Sequence, residues 1–255
     1  VDIVPVDRVP AELRARYLDS LALPQELFVE MLVQAGTAWR VGDDGYAVVH
    51  DGRVVELLPP TSVDDAPEAL LAAVSRRAGA ARVLCKSFDR WLLFAALAGP
   101  AKVTCEGLMF RRFGDAAPRP VKGTHVRTAG RGDVAAIMNV SDGFFVDGDE
   151  VRAYLEQGGV LLLEDVAGAL LAVGIFKPVI EGRVDVDVGM VTAPAHRGRG
   201  FGTAVVAAVK AACIARGLHP VCGCAADNVA SRRALERAGF VAEHRLLTIE
   251  AWRSR

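Results

Sequence analysis

The sequence predicts a mixed α/β protein, with an α+β sheet of mixed strand direction, in which one arrangement of elements occurs twice. Three observations carry that expectation. Short apolar runs with period-2 alternation, such as Arg183 to Val191, are interspersed with apolar-periodic stretches of helical length. The order of these segments is similar on the two sides of the chain's middle. Between them, Gly114-Asp115-Ala116-Ala117-Pro118-Arg119-Pro120 sets two prolines beside a glycine without any hydrophobic period. The expected division is a first domain over 1–113, a linker over 114–122 and a second domain over 123–255.

In the first half, Val1 to Val6 reads as a strand, followed by helices near Ala11 to Leu21 and Gln25 to Gln34. Three short strands are expected at Ala38 to Val41, Tyr46 to His50 and Val54 to Leu58. A helix at Ala66 to Arg77, a strand at Arg82 to Lys86, a helix at Arg90 to Leu97 and a strand at Lys102 to Phe110 complete it. Trp39 and Trp91 are read as core residues. In the second half the strands are His125 to Thr128, Val160 to Glu164, Leu170 to Phe176, Arg183 to Val191, Pro220 to Cys224 and His244 to Ile249. Helices are expected at Arg131 to Val140, Asp149 to Gln157, Gly202 to Arg216 and Ala230 to Ala238.

Composition narrows the function. The 255 residues are 52% hydrophobic and 24% charged, which supplies material for packed cores. With 30 basic and 31 acidic residues the net charge is −1, without the basic excess of a nucleic-acid binder or a polybasic membrane anchor. The apolar runs fall well short of the ~20 residues that span a bilayer. The first residues mix apolar and charged side chains, unlike a secretory signal. Five cysteines without a C-x-x-C pair argue against a disulfide framework and a zinc site. No nucleic acid, membrane or metal partner is expected, and the expected compartment is the cytoplasm.

The most informative stretch is Val191-Thr192-Ala193-Pro194-Ala195-His196-Arg197-Gly198-Arg199-Gly200-Phe201-Gly202-Thr203. It lies between an expected strand and an expected helix. Three alternate glycines let the backbone bend and approach a ligand. The first amides of the helix lack intrahelical partners, and the positive end of its dipole favours phosphate oxygens. Arg197 and Arg199 can add charge-assisted hydrogen bonds. A diphosphate suits such a turn. A Walker loop is excluded, because no lysine followed by Ser or Thr closes it. The Rossmann pattern fails because Thr203 stands where its third glycine belongs. The other reading is a tight turn with solvated arginines.

At these residues the chain resembles the GNAT acyltransferases, which use acetyl-coenzyme A. Arg197-x-x-Gly200-x-Gly202 matches their R/Q-x-x-G-x-G/A signature, and Thr192-x-Pro194 stands near their V-x-P. Asn228-x-x-Ser231 followed by Gly239-Phe240 is similar to their N-x-x-A/S … G-F segment. The resemblance implies a GNAT fold over the second half, and two tandem GNAT-like domains if the first half shares it. It implies that pantetheine lies between two splayed strands, bonded to backbone groups of Met190, Val191 and Thr192. The amides of Arg197, Gly198, Arg199, Gly200, Phe201, Gly202 and Thr203 would hold the pyrophosphate. Asn228 would lie by the coenzyme arm, and Ser231 or Arg232 near the adenosine end. An N-cap role suits Asn228 equally.

The implied activity is acetyl transfer to an amine of a small molecule or peptide, by direct attack in a ternary complex. The family often places an acidic base on the fourth strand, where Asp187 falls closest and Asp185 lies on the same face. Either carboxylate could equally line the solvent side of that strand. The N–H of Met190 or Val191 is the expected oxyanion donor. The chain departs from the family at Leu235, where many members have a proton-donating tyrosine. Tyr154 could reach the site or simply pack. Asp142, Phe144 and Phe145, in the run Ser141 to Glu150, are expected at the acceptor cleft. Alternatively, that run caps a helix at Asp149 with both rings packed inward. In the first half, Pro59-Pro60-Thr61-Ser62-Val63-Asp64-Asp65 stands where a glycine turn would be, so no coenzyme is expected there. A coenzyme-binding sensor without transfer activity is the alternative function; transfer of a longer acyl chain, or to a hydroxyl, is a third. A monomer or homodimer is expected.

Overall fold

The structure, a computed structural model, describes residues 1–62, 66–115 and 121–250. Of the expected linker, Ala116 to Pro120 lies outside the described residues, as do Val63 to Asp65. The chain divides into two units, 1–109 together with the stretch from His244 onward, and 110–243.

The first unit runs β1 (Ile3–Val6), α1 (Ala11–Ser20), α2 (Leu27–Ala35), β2 (Thr37–Val41), β3 (Gly45–His50), β4 (Arg53–Leu58), α3 (Pro67–Ala78), β5 (Arg82–Lys86), α4 (Arg90–Ala96) and into β6 (Lys102–Phe113). β1 through β4 pair antiparallel in sequence, and β4 pairs β5 in parallel. The second unit follows the same plan. β7 (Thr124–Thr128) leads through a 3-10 turn (Arg131–Asp133) to α5 (Val134–Ser141) and α6 (Gly148–Glu156). Then come β8 (Val160–Asp165), β9 (Leu170–Pro178), β10 (Asp185–Thr192), a second 3-10 turn (Pro194–His196), α7 (Phe201–Ala215), β11 (His219–Ala225), α8 (Val229–Arg237) and β12 (Phe240–Glu250). Here too three antiparallel ladders are followed by one parallel ladder, β10 on β11. A parallel pair needs a crossover, which α3 and α7 supply.

The unit boundaries differ from the expected 1–113 and 123–255 because β6 and β12 are long, at 12 and 11 residues. Leu246 to Glu250 pairs with β5, so the end of β12 belongs to the first unit.

Apolar alternation sets the cores. In the first unit, Val54, Leu57, Val83 and Cys85 of the strands bury against Leu70, Leu71 and Val74 of α3 and Leu92 of α4, with Trp39 and Trp91 packed on this cluster. In the second, Val191, Val173 and Leu162 pack toward Ile137 of α5 and Val151 of α6. The other face takes α7, through Phe201 and Val205. Gly174 on β9 allows this close seating, since a Cβ there would fall 2.5 Å from Val209 and 3.0 Å from Val205. All five cysteines are free thiols; Cys85, Cys213 and Cys222 are buried. Among the described residues no helix is long and apolar enough to cross a membrane, and no group of three or more potential ligands could hold a metal ion.

Candidate functional site

The ladder between β10 and β11 is short. Asp185, Val186 and Asp187 lie beside His219, Pro220 and Val221, and no pair follows. β10 remains paired with β9 as far as Thr192, opposite Ala172. Beyond Asp187, therefore, β10 has a partner on one edge and a gap on the other. Antiparallel register decides which groups face that gap. Ala193 N–H donates to the Leu171 carbonyl and Val179 N–H to that of Asp185, each at 3.0 Å. Alternation then gives Val191 and Gly189 to β9 and turns Val188, Met190 and Thr192 toward the gap. Of the two expected oxyanion donors, Met190 faces the gap; the Val191 N–H is committed to β9.

Past Thr192 the chain makes the tight 3-10 turn, in which Arg197 N–H bonds the Pro194 carbonyl at 3.4 Å. Gly198 and Gly200 then adopt φ of +75° and +87°, and Gly200 is the N-cap of α7. These left-handed conformations are open to glycine at little cost. The first backbone bond of the helix is Ala204 N–H to the Gly200 carbonyl at 3.0 Å. The N–H groups from Gly198 to Thr203 make no backbone hydrogen bond. The Arg197 amide is not among them, because it closes the turn. Gly202 lies against β10, where a Cβ would come 3.0 Å from Thr192 Oγ1.

A groove of about 720 Å³ joins these features. Met190, Val191, Thr192, Gly198, Gly202 and Asn228 contribute to its wall. The volume lies inside the range of ligand clefts, roughly 300–1,000 Å³. Asn228 caps α8, its Oδ1 accepting from Ser231 N–H at 3.0 Å, and it lines the groove as well.

Of the expected arginines, Arg197 lines the groove and two others do not. Arg199 lies over the Phe201 ring at 5.2 Å, 3.2 Å from His196 Nδ1, and does not line the groove. Arg232 bonds Glu236 at 2.8 Å on the outer side of α8. The groove instead receives Arg233 and Arg237, which share a helical face with Ala230, Ser231 and Ala234. The spacing i, i+3, i+4, i+7 from Ala230 was the signal for that face.

The opposite face of β10 carries Asp185, Asp187, Gly189 and Val191 at alternate positions. Asp185 is tied to His219 Nδ1 at 2.8 Å. Asp187 lies opposite Lys177 on β9. Burial, and then the nearby Asp187 carboxylate, push the Tyr154 hydroxyl up to about 12. Tyr154 is the one tyrosine of residues 110–243. Leu235 is buried, at 2% exposure, and has no proton to give.

In the acceptor run, Asp147 rather than Asp149 caps α6, accepting from the Asp149 and Glu150 amides at 2.9 and 3.0 Å. Phe145 is buried at 2% among Ile137, Val151 and Val191 and is core, not lining. Phe144 stays 44% exposed, with its ring 3.5 Å from where a Gly189 Cβ would stand. Asp142, half exposed to solvent, pairs with Arg197 at 2.7 Å.

Comparisons with known proteins concern the family and the fold. Residues 139–240 match the model of the acetyltransferase (GNAT) family. No curated protein matches the chain. Among solved structures, an acetyltransferase from the GNAT family of Colwellia psychrerythraea aligns over 99% of this chain and 100% of its own, with TM-score 0.85 and 17% identity. A tandem GNAT protein from the clavulanic acid biosynthesis pathway aligns over 100% and 99%, with TM-score 0.62 and 18% identity. A GCN5-related N-acetyltransferase of Sphaerobacter thermophilus covers 96% of this chain and 87% of its own, with TM-score 0.60 and 15% identity. Residues 139–240 thus match the acetyltransferase (GNAT) family model, in a chain with the fold of tandem GNAT proteins.

Proposed function

We propose that the second unit binds acetyl-coenzyme A in the gap between β10 and β11 and moves its acetyl group to the amine of a small molecule or peptide. One observation carries this reading: pairing stops at Asp187 and Val221, and the groove beyond it ends on the bare amides of Gly198 to Thr203. Those amides and the helix dipole take the pyrophosphate. Backbone groups of Met190 and Thr192 take the pantetheine arm in place of a strand. Ser231, Arg233 and Arg237 stand toward the adenosine end.

The acceptor approaches from the Asp187 face. An alkylammonium, with a pKa near ~10.4, must lose a proton before it can attack. Asp187 acts as base through water. Attack forms the C–N bond and develops negative charge on the thioester oxygen, where the Met190 N–H donates. The C–S bond breaks and the thiolate takes its proton from water in the open groove, because Leu235 replaces a phenol. The acceptor is set by the surface of Phe144, Asp187 and Tyr154.

Incubation with acetyl-coenzyme A and a panel of amines, following free thiol, tests the proposal. Thiol release with a matching acetylated product is expected. Coenzyme binding without thiol release for any acceptor would favour a sensor, the reading that the buried Leu235 supports.

A further inference from the structure

Arg197 lines the groove but is already engaged. Its Nη2 donates to Asp142 Oδ2 at 2.7 Å and its Nε to the Thr192 carbonyl at 3.3 Å. Asp142 ends α5 with φ +50°, a conformation uncommon for a non-glycine residue, and Gly143 follows at +76°. Two residues past Asp142 comes Phe144, whose ring covers Gly189 on β10. One short loop therefore holds the arginine of the coenzyme turn at its start and overlies the acceptor face two residues on.

The ion pair is open to water, with the two side chains 54% and 52% exposed, so it is a weak tie. A pyrophosphate offers the same guanidinium more charge and a matching bidentate edge. We infer that Asp142 is a positioning residue that competes with the pyrophosphate for Arg197 and, once displaced, presents its carboxylate at the acceptor side. Coenzyme binding thus supplies a negative charge beside Phe144 for an incoming ammonium. The substrate class that follows is a cationic amine that binds better after the coenzyme than before it. This deepens the proposed function and rests on the groove taking the coenzyme.

Asp142→Asn tests it, because asparagine also adopts the left-handed region and keeps the loop backbone. Calorimetry with coenzyme A is expected to show binding about fivefold tighter in the variant, since the competing charge is gone. Steady-state kinetics should show the amine KM raised about fivefold with kcat little changed. Asp142→Glu should bring both values back toward the wild type. Coenzyme affinity unchanged or weakened in Asp142→Asn would overturn the competition, and an unchanged amine KM would overturn the acceptor role. Absence of coenzyme A binding by the wild-type chain would be a different failure, that of the groove assignment itself.

Discussion

Gly200 shows how much chemistry a single residue can hold. At φ +87° it turns the chain into α7, and a Cβ there would meet nothing within 4 Å, so a side chain would project into open space at the head of the helix. Gly200→Trp should cost about 1–2 kcal/mol in strain and abolish coenzyme binding in calorimetry while the protein still melts cooperatively. Asp187→Asn should lower kcat and remove the acidic limb of the pH–rate profile. Tyr154→Phe should leave the profile below pH ~10 in place, because a phenol held up at about 12 stays protonated throughout that range. A shifted limb in Tyr154→Phe would put that proton into the mechanism. Period-2 alternation made Asp185 and Asp187 legible as one face. The His219 partner of Asp185 was not legible, because a parallel ladder joins residues 34 apart.

Among the elements, α7 ties the site to its support. Its Lys210 is almost wholly buried, at 6% exposure, and donates to the carbonyls of Ala238 at 2.7 Å and Gly114 at 3.1 Å. It also lies over the rings of Phe113 and Phe240, at 5.7 and 5.8 Å. Burial lowers its pKa. Lys210→Met keeps the stem but leaves the end of α8 without its donor. It should destabilise the chain by about 1–3 kcal/mol, read as a lower denaturant midpoint. Helices and strands were legible from their periods, and the glycine turn from its place between them. The direction of each arginine was not. Arg199 and Arg232 stand in the expected segments, yet an aromatic ring and a glutamate take them, while Arg233 and Arg237 reach the groove. The pairing of Asp142 with Arg197 spans 55 residues and leaves no local trace.

At the scale of the whole molecule the two units share an element order but use the corresponding space differently. In the first, Glu56 on β4 is fully buried and accepts from Gln25 at 2.7 Å, Tyr46 at 2.9 Å and Arg14 at 3.2 Å. Arg14 also binds Glu30, and buried Lys86 reaches Tyr17 at 2.7 Å and Gln25 at 3.0 Å. Buried charges persist only when so partnered. Glu56→Gln should therefore cost about 3 kcal/mol, seen as a lower melting temperature. In this unit β4 runs into Pro59 and Pro60, which have no amide hydrogens to offer an anion. The duplicated order was legible from the sequence; the polar filling of the first unit was not, because its members are spread along the chain from Arg14 to Lys86. Backbone amide shifts on titration with coenzyme A test the central claim most directly. Movement is predicted for Met190, Thr192 and the amides from Gly198 to Thr203, with those of 53–58 unmoved. Saturable binding that leaves Gly198 to Thr203 in place would contradict it.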